Sequence, residues 1–200
     1  MICRACGLYL LFFCVTASSA TAQFKARLLT KGEIDAAQIS ADPVRMPGIA
    51  GPVRINEAQA FSIEGSGFAK LLMVPVRYAW HDKEPARPTN SDMCGVFLIR
   101  SESVRQLIQT VGMGWLDVFN CNSLEAVGFL AGEAGGPPRI ILLYSANSPH
   151  DIEDEPVVLD WNAASQGYVW NENVSQQLAT TGNVNSVSDM KRLLLRKIAH

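Results

Sequence analysis

The clearest hydrophobic pattern in the chain is a period-2 alternation between Phe68 and Trp80. Six of the seven even-numbered residues in this stretch are apolar, whereas the odd-numbered ones include Pro75 and Arg77. A repeat of two residues is typical of a β-strand that buries one face. Because Pro75 has no backbone N–H to donate, the pattern predicts a strand that lies at a sheet edge or is bulged at this residue.

Shorter apolar runs predict further strands. Gly95–Ile99 and Arg139–Tyr144 have the composition of buried strands, and an earlier strand is predicted within Val53–Phe61. Pro156–Trp161 and Gly167–Trp170 flank a polar loop of five residues, a spacing that is typical of a β-hairpin. These runs predict a sheet of short strands.

Helical spacing of apolar residues recurs at other places. Residues 101–111 predict a helix capped by Ser101 or Ser103, and shorter helices are predicted at Gly32–Ala41 and Asn173–Ala179. The C-terminal segment predicts a helix that begins at Ser186 or Ser188, with an apolar and a basic face. The apolar faces consist of Val104, Leu107, Ile108 and Val111 in the first helix, and of Met190, Leu193, Leu194 and Ile198 in the last.

The order of these elements predicts the fold class. Strands and helices follow one another without a regular βαβ alternation, which favours an α+β fold. We therefore expect a mainly antiparallel sheet of short strands with a few helices, including a C-terminal helix. Leu124–Leu130 fits either a helix or a strand, and Ser145–Glu155 is predicted to be a polar, acidic loop.

The first residues have the features of a cleavable export signal. Arg4 precedes an apolar run at Gly7–Val15, and small residues then lead to an expected cleavage site after Ala22. The apolar run is too short to span a membrane, which takes about 20 residues. We expect residues 1–22 to be a signal peptide, 23–51 a lead-in segment and linker, and 52–200 a single α+β domain in the periplasm or outside the cell.

Loss of the signal changes the charge and the cysteine count. The net charge would go from −2 to −3 without a basic cluster, so we expect no nucleic-acid partner, and no transmembrane segment is expected after cleavage. Three of the five cysteines would leave with the signal. Cys94 and Cys121 remain, and in an oxidising compartment they are predicted to form a disulfide.

Motifs for catalysis and for cofactors are missing from the sequence. It contains no Gly-x-Ser-x-Gly elbow, phosphate loop, dinucleotide fingerprint or paired-histidine metal motif, so no catalytic residue, cofactor or metal is predicted. His81 and Asp82 follow the predicted strand Phe68–Trp80. In the alternative interpretation, in which the protein is an enzyme, they are the catalytic groups. In the main interpretation, they belong to a surface loop.

Two groups of residues are candidates for binding. Asp151, Glu153, Asp154 and Glu155 are the densest carboxylate cluster, which is interpreted as a solvated loop, a cation site or a docking patch for a basic partner. The aromatic residues of the predicted hairpin are Trp161, Tyr168 and Trp170. These are interpreted as core residues or as the lining of a ligand groove.

The sequence therefore favours a binding protein over an enzyme. We expect an exported periplasmic protein without catalysis, such as an inhibitor or immunity-type protein that binds an envelope-acting enzyme. Its partner would be another envelope protein, bound through the acidic loop and the aromatic hairpin. The alternative is a periplasmic or secreted hydrolase that uses His81, Asp82 and the acidic loop.

Overall fold

The structure is a computed structural model, and it describes residues 24–41, 49–65, 68–80, 91–101, 104–113, 116, 120–132, 136–148, 151–181 and 184–198. Within these residues the chain forms two antiparallel sheets and three α-helices. The first sheet contains six strands: β1 (Phe24–Leu28), β2 (Ile49–Ile55), β3 (Phe61–Gly65), β4 (Phe68–Trp80), β5 (Ser91–Ser101) and β6 (Val104–Gln109).

The second sheet contains four strands in the order β10-β9-β8-β7. The helices are α1 (Lys31–Ala41), which follows β1, and α2 (Glu172–Thr180) and α3 (Val187–Ile198), which follow the second sheet. The four strands are β7 (Asn120–Leu130), β8 (Arg139–Asn147), β9 (Ile152–Asn162) and β10 (Gly167–Trp170).

Three apolar clusters define the layers. The largest lies between the inner faces of the two sheets and includes Met73, Val96 and Leu142. A second cluster covers the outer face of the first sheet, where Ile34 of α1 packs. A third joins the outer face of the second sheet to Leu194 of α3 and to α2. The layers therefore follow the order helix, sheet, sheet, helices.

The expected α+β class with mainly antiparallel sheets and a C-terminal helix is confirmed. The hairpin at β9 and β10 is also confirmed, with Trp161 opposite Tyr168. Helix α3 begins as predicted, because the Ser186 hydroxyl accepts a hydrogen bond from the Asp189 N–H at 3.1 Å.

Strand β4 has the predicted bounds, but two details differ from the prediction. Both faces are buried, with Met73 between the sheets and Val74 on the α1 side. Pro75 lies in the middle of the sheet, since β4 pairs with β3 before this residue and with β2 after it. The Pro75 carbonyl accepts from the Asn56 N–H at 2.9 Å, so its missing N–H falls where the ladder changes from one partner strand to the other.

The helix predicted at residues 101–111 is wrong. Val104–Gln109 is strand β6, which pairs with β5. Leu107 packs on the outer side of the sheet, whereas Ile108 faces the inter-sheet core. Apolar residues on both faces of a strand produce the same spacing as a helical stripe, and pairing with β5 decides the structure. The ambiguous stretch Leu124–Leu130 belongs to strand β7.

The acidic loop predicted at Ser145–Glu155 is also wrong. Strand β8 continues to Asn147 and strand β9 begins at Ile152, so most of this stretch is paired strand. The turn between them is closed by Ser148, whose hydroxyl accepts from the Asp151 N–H and donates to the Asp151 carbonyl, both at 3.0 Å. Carboxylates on this segment are therefore held on a sheet.

The N-terminal part contributes to the first sheet. Strand β1 lies within the predicted lead-in segment 23–51 and pairs with β3, and β2 runs across the predicted boundary at residue 51. Glu33 of α1 binds Arg27 at 2.8 Å and Lys70 at 2.7 Å, and these cations hold the pKa of its carboxyl well below the usual range. The pairing of β1 and β2 with the first sheet does not test whether residues 52–200 fold without residues 23–51. The division of the chain into 23–51 and 52–200 therefore stays a prediction.

Candidate functional site

The two groups of predicted binding residues lie at opposite ends of strand β9. Asp151 immediately precedes the strand and Glu153 lies at its start, whereas Trp161 lies near its end. Eight residues of extended strand separate Glu153 from Trp161, which corresponds to about 26 Å. The acidic residues and the aromatic residues are therefore two separate surfaces.

Three of the four acidic residues are exposed, and the fourth is buried. Asp151, Glu153 and Asp154 face solvent, but Glu155 retains only 4% of its exposure. Its Oε2 atom is buried without a hydrogen-bond partner among the described residues, and Tyr144 lies opposite Glu155 on β8. Burial, together with the smaller effect of the charges of Glu153 and Asp154, raises the pKa of Glu155 to about 7.

The aromatic residues of the hairpin all belong to the inter-sheet core. Tyr168 is fully buried, and its hydroxyl donates to the Pro138 carbonyl at 2.7 Å. Trp170 is partly buried, and its indole N–H donates to the Ser175 hydroxyl of α2 at 3.1 Å. Trp161 is partly exposed and meets the Tyr168 ring edge-on, with 5.4 Å between the ring centres.

A cleft of about 390 Å³ opens beside Trp161, between the end of the hairpin and the start of β4. This volume lies within the range of small-molecule sites. We call it the aromatic cleft, and its lining includes Phe68, Leu71, Arg100, Pro137, Trp161 and Gln166.

Arg100 gives the aromatic cleft its charge. Its guanidinium carbon lies 5.2 Å from the centre of the Trp161 ring, which is a cation–π contact. Arg100 is partly buried and forms no ion pair with any residue that the structure describes. An arginine held on an aromatic ring is oriented without being neutralised, so it can bind a carboxylate through two parallel N–H donors.

Gln106 of β6 joins the two sheets beside the aromatic cleft. Its amide nitrogen donates to the Tyr168 carbonyl at 2.6 Å, and its amide oxygen accepts from the Tyr168 N–H at 3.2 Å. A β-carbon on the neighbouring Gly167 would lie only 3.0 Å from the Gln106 oxygen, so glycine permits this close approach. The side chain thereby takes the place of a strand partner for β10.

We expect Gln106→Ala to lower the free energy of unfolding by about 1–3 kcal/mol, because the buried backbone groups of Tyr168 lose their partners. Urea denaturation monitored by tryptophan fluorescence measures this change. Gln176→Ala, on the exposed face of α2, is the matched control and should change stability by less than about 0.5 kcal/mol. Equal effects of the two substitutions would contradict the role given to Gln106.

Arg100 and Phe68 were missed by the sequence analysis. Arg100 is a single cation at the end of a buried strand, and the local sequence contains no signal that places it over Trp161. The contact arises because the end of β5 in one sheet lies near the end of β9 in the other. Only the spatial arrangement of the sheets reveals it.

Several predictions fall on parts of the chain without a description. Residues 1–23 include the expected signal peptide, and residues 81–90 include His81 and Asp82, so both lie outside the described residues.

Among residues that the structure does describe, no group of three or more His, Cys, Asp or Glu side chains is arranged to hold a metal ion. No described helix is both long and apolar enough to cross a membrane.

The predicted disulfide lies at the end of the core away from the aromatic cleft. Cys94 of β5 and Cys121 of β7 are bonded, with 5.6 Å between their α-carbons, so the bond joins the two sheets. Both residues are buried.

Comparison of the chain with protein-family models, with curated proteins and with solved structures gave no match.

Proposed function

We propose that this protein is an exported binding protein without catalysis, and that it binds a segment of another envelope protein in the aromatic cleft. The observation that carries the proposal is the Arg100 guanidinium on the Trp161 ring, which has no carboxylate partner among the described residues. Tryptophan, tyrosine and arginine are the residues that most often dominate the energy of protein interfaces.

The walls of the aromatic cleft suggest the chemistry of the bound segment. Phe68, Leu71 and Pro137 provide apolar surface, while Arg100 and Gln166 are the polar groups of the lining. The Gln166 amide already donates to the Ala163 carbonyl at 2.8 Å, which leaves Arg100 as the main group for recognition. A segment with an apolar side chain next to a carboxylate complements this arrangement.

Two observations support an extracytoplasmic location. The sequence begins with the pattern of an export signal, and the Cys94–Cys121 pair is at bonding distance in the core. Disulfides persist mainly in oxidising compartments. We therefore propose the periplasm or the extracellular space as the place where the partner is met.

The acidic end of β9 is a second candidate surface. Ile152 is 61% exposed and lies between the exposed carboxylates of Asp151 and Glu153, with Asp154 following. A single exposed apolar side chain is ordinary on a protein surface, so the three exposed carboxylates are the feature that would favour a partner of opposite charge. A basic partner would fit this surface, which lies about 26 Å from the aromatic cleft along the strand.

A pull-down from envelope extract of cells that produce the protein tests the proposal. Arg100→Gln is expected to abolish capture of the partner, because it removes the carboxylate-binding group and leaves the aromatic walls in place. The triple variant Asp151→Asn/Glu153→Gln/Asp154→Asn is the matched control at the other end of β9 and should capture the partner normally. Thermal melting of both variants establishes that each remains folded.

Two outcomes would contradict the proposal. Loss of capture with the triple variant alone would move the interface to the acidic end of β9. Absence of any stoichiometric protein partner, together with turnover of ester, peptide or glycoside substrates, would favour the alternative hydrolase with His81 and Asp82.

A further inference from the structure

A second cavity lies at the end of the core that carries the disulfide. Its volume is about 240 Å³, and it opens between strands β2 and β4 of the first sheet and strand β7 of the second. We call it the arginine pocket, and its lining includes Arg54, Asn56, Arg77, Cys94, Ser123 and Tyr144. Phe68 of β4 lines the aromatic cleft, and Arg77 of the same strand lines the arginine pocket. About 30 Å of strand therefore separates the two cavities.

Two arginines lie side by side in the arginine pocket. Arg54 on β2 and Arg77 on β4 are directly opposite each other in the strand register. Like charges at such positions repel, and the ion pair of Arg77 with Asp92 offsets one of the two charges. The charge of Arg54 is the one that faces the cavity without such an offset among the described residues.

Arg77 is already partly used by the protein. It donates to the Asn122 carbonyl at 2.9 Å and forms an ion pair with Asp92. Its Nε atom is buried and has no hydrogen-bond partner among the described residues, and being buried it is out of reach of a ligand in the cavity. Arg77 therefore forms part of the wall of the pocket, and Arg54 is the arginine left to hold an anion.

The guanidinium of Arg54 has no partner among the residues that the structure describes. It is exposed, and it forms no ion pair or side-chain hydrogen bond with the described part of the chain. Asp92 balances the charge of Arg77, so the described lining of the pocket carries one net positive charge, that of Arg54. One net charge and a planar donor fork match a carboxylate, which carries one negative charge and accepts two parallel hydrogen bonds.

We infer that the arginine pocket is a carboxylate-binding site, in which Arg54 holds the carboxylate. The carboxylate belongs either to a small organic acid or to the C-terminus of a peptide, since both present the same group. This site is separate from the aromatic cleft, and the inference does not depend on the proposed function of that cleft.

Isothermal titration calorimetry and ¹H–¹⁵N NMR with the purified protein test this inference. The probes are N-acetyl-alanine, a tetrapeptide with a free C-terminus, the same tetrapeptide with an amidated C-terminus, and inorganic phosphate, all at equal ionic strength. We expect saturable binding of the free tetrapeptide, none of its amide, and shifts at Arg54 and Arg77. Binding of N-acetyl-alanine with equal affinity would assign the site to small acids, whereas much weaker binding would assign it to peptide termini.

Arg54→Gln is the decisive variant, since Arg54 is exposed and its loss removes no interaction between described residues. Its affinity for the carboxylate probe should fall about tenfold or more, which is the effect of losing one charge-assisted, bidentate contact. Arg196→Gln, at an exposed position on α3, makes the same change of charge and should bind normally. Equal affinity of the two variants, binding of phosphate alone, or no saturable binding of any carboxylate probe would overturn the inference.

Discussion

Replacing both Cys94 and Cys121 with alanine is expected to lower the free energy of unfolding by about 3 kcal/mol or more. The bond closes a loop with a sequence separation of 27 residues, and its loss gives the unfolded chain more conformational freedom. The same bond is a covalent connection between the two sheets at the end of the core that holds the arginine pocket. Its removal should therefore destabilise the contact between the sheets.

Urea denaturation of the double variant measures this loss directly. The unmodified protein in reducing buffer is the matched control, because it lacks the bond but retains both sulfur atoms. We expect the reduced protein and the double variant to lose similar stability. A loss below about 1 kcal/mol in both would show that the bond contributes little and would contradict its role in joining the sheets.

Glu155→Gln is expected to stabilise the protein above neutral pH by up to about 3 kcal/mol. In the folded protein the pKa of Glu155 is raised from 4.5 to about 7, because the carboxyl is buried and lies near Glu153 and Asp154. The folded state therefore favours the protonated form. The stability that the protonated Glu155 carboxyl gives the folded state is fully present below pH 4.5. It falls as the pH rises towards 7 and is lost above that value.

The difference in stability between the variant and the unmodified protein isolates this group from the other carboxylates. It should be small at about pH 4.5 and reach its maximum near pH 8, since glutamine resembles the protonated acid at every pH. Glu172→Gln, at an exposed position in the first turn of α2, is the control and should give no stabilisation, only a loss of at most about 1 kcal/mol from the helix dipole. A difference for Glu155→Gln that does not change with pH would contradict the raised pKa.

Features determined by local sequence were predictable. The period-2 stretch of β4, the hairpin of β9 and β10, and the cap of α3 at Ser186 depend on neighbours along the chain. The pairing of Cys94 with Cys121 followed from the cysteine count after removal of the expected signal. Each of these predictions used a pattern that tertiary contacts did not override.

Features determined by distant pairing were not predictable. The apolar residues of β6 have helical spacing, yet the partner strand β5 holds Val104–Gln109 extended. The start of β9 is rich in polar residues, and only its pairing with β8 makes it a strand that buries Glu155. Local propensity is a weak predictor where a neighbouring strand supplies the hydrogen bonds.

The candidate sites follow the same division. Trp161 and Tyr168 were identified as aromatic residues of one hairpin, and the structure places both at the aromatic cleft. Arg100 and the pair of Arg54 and Arg77 were missed, because these residues meet others only through the arrangement and register of the strands. Single dispersed cations carry no sequence signal for such contacts.

We propose that the aromatic cleft binds an envelope protein through Arg100 and Trp161. The most direct measurement is the dissociation constant of the captured partner, determined by calorimetry for the unmodified protein and for Arg100→Gln. We predict that the substitution weakens binding by about tenfold or more, while the triple variant Asp151→Asn/Glu153→Gln/Asp154→Asn leaves the constant unchanged. An unchanged constant for Arg100→Gln would contradict the claim.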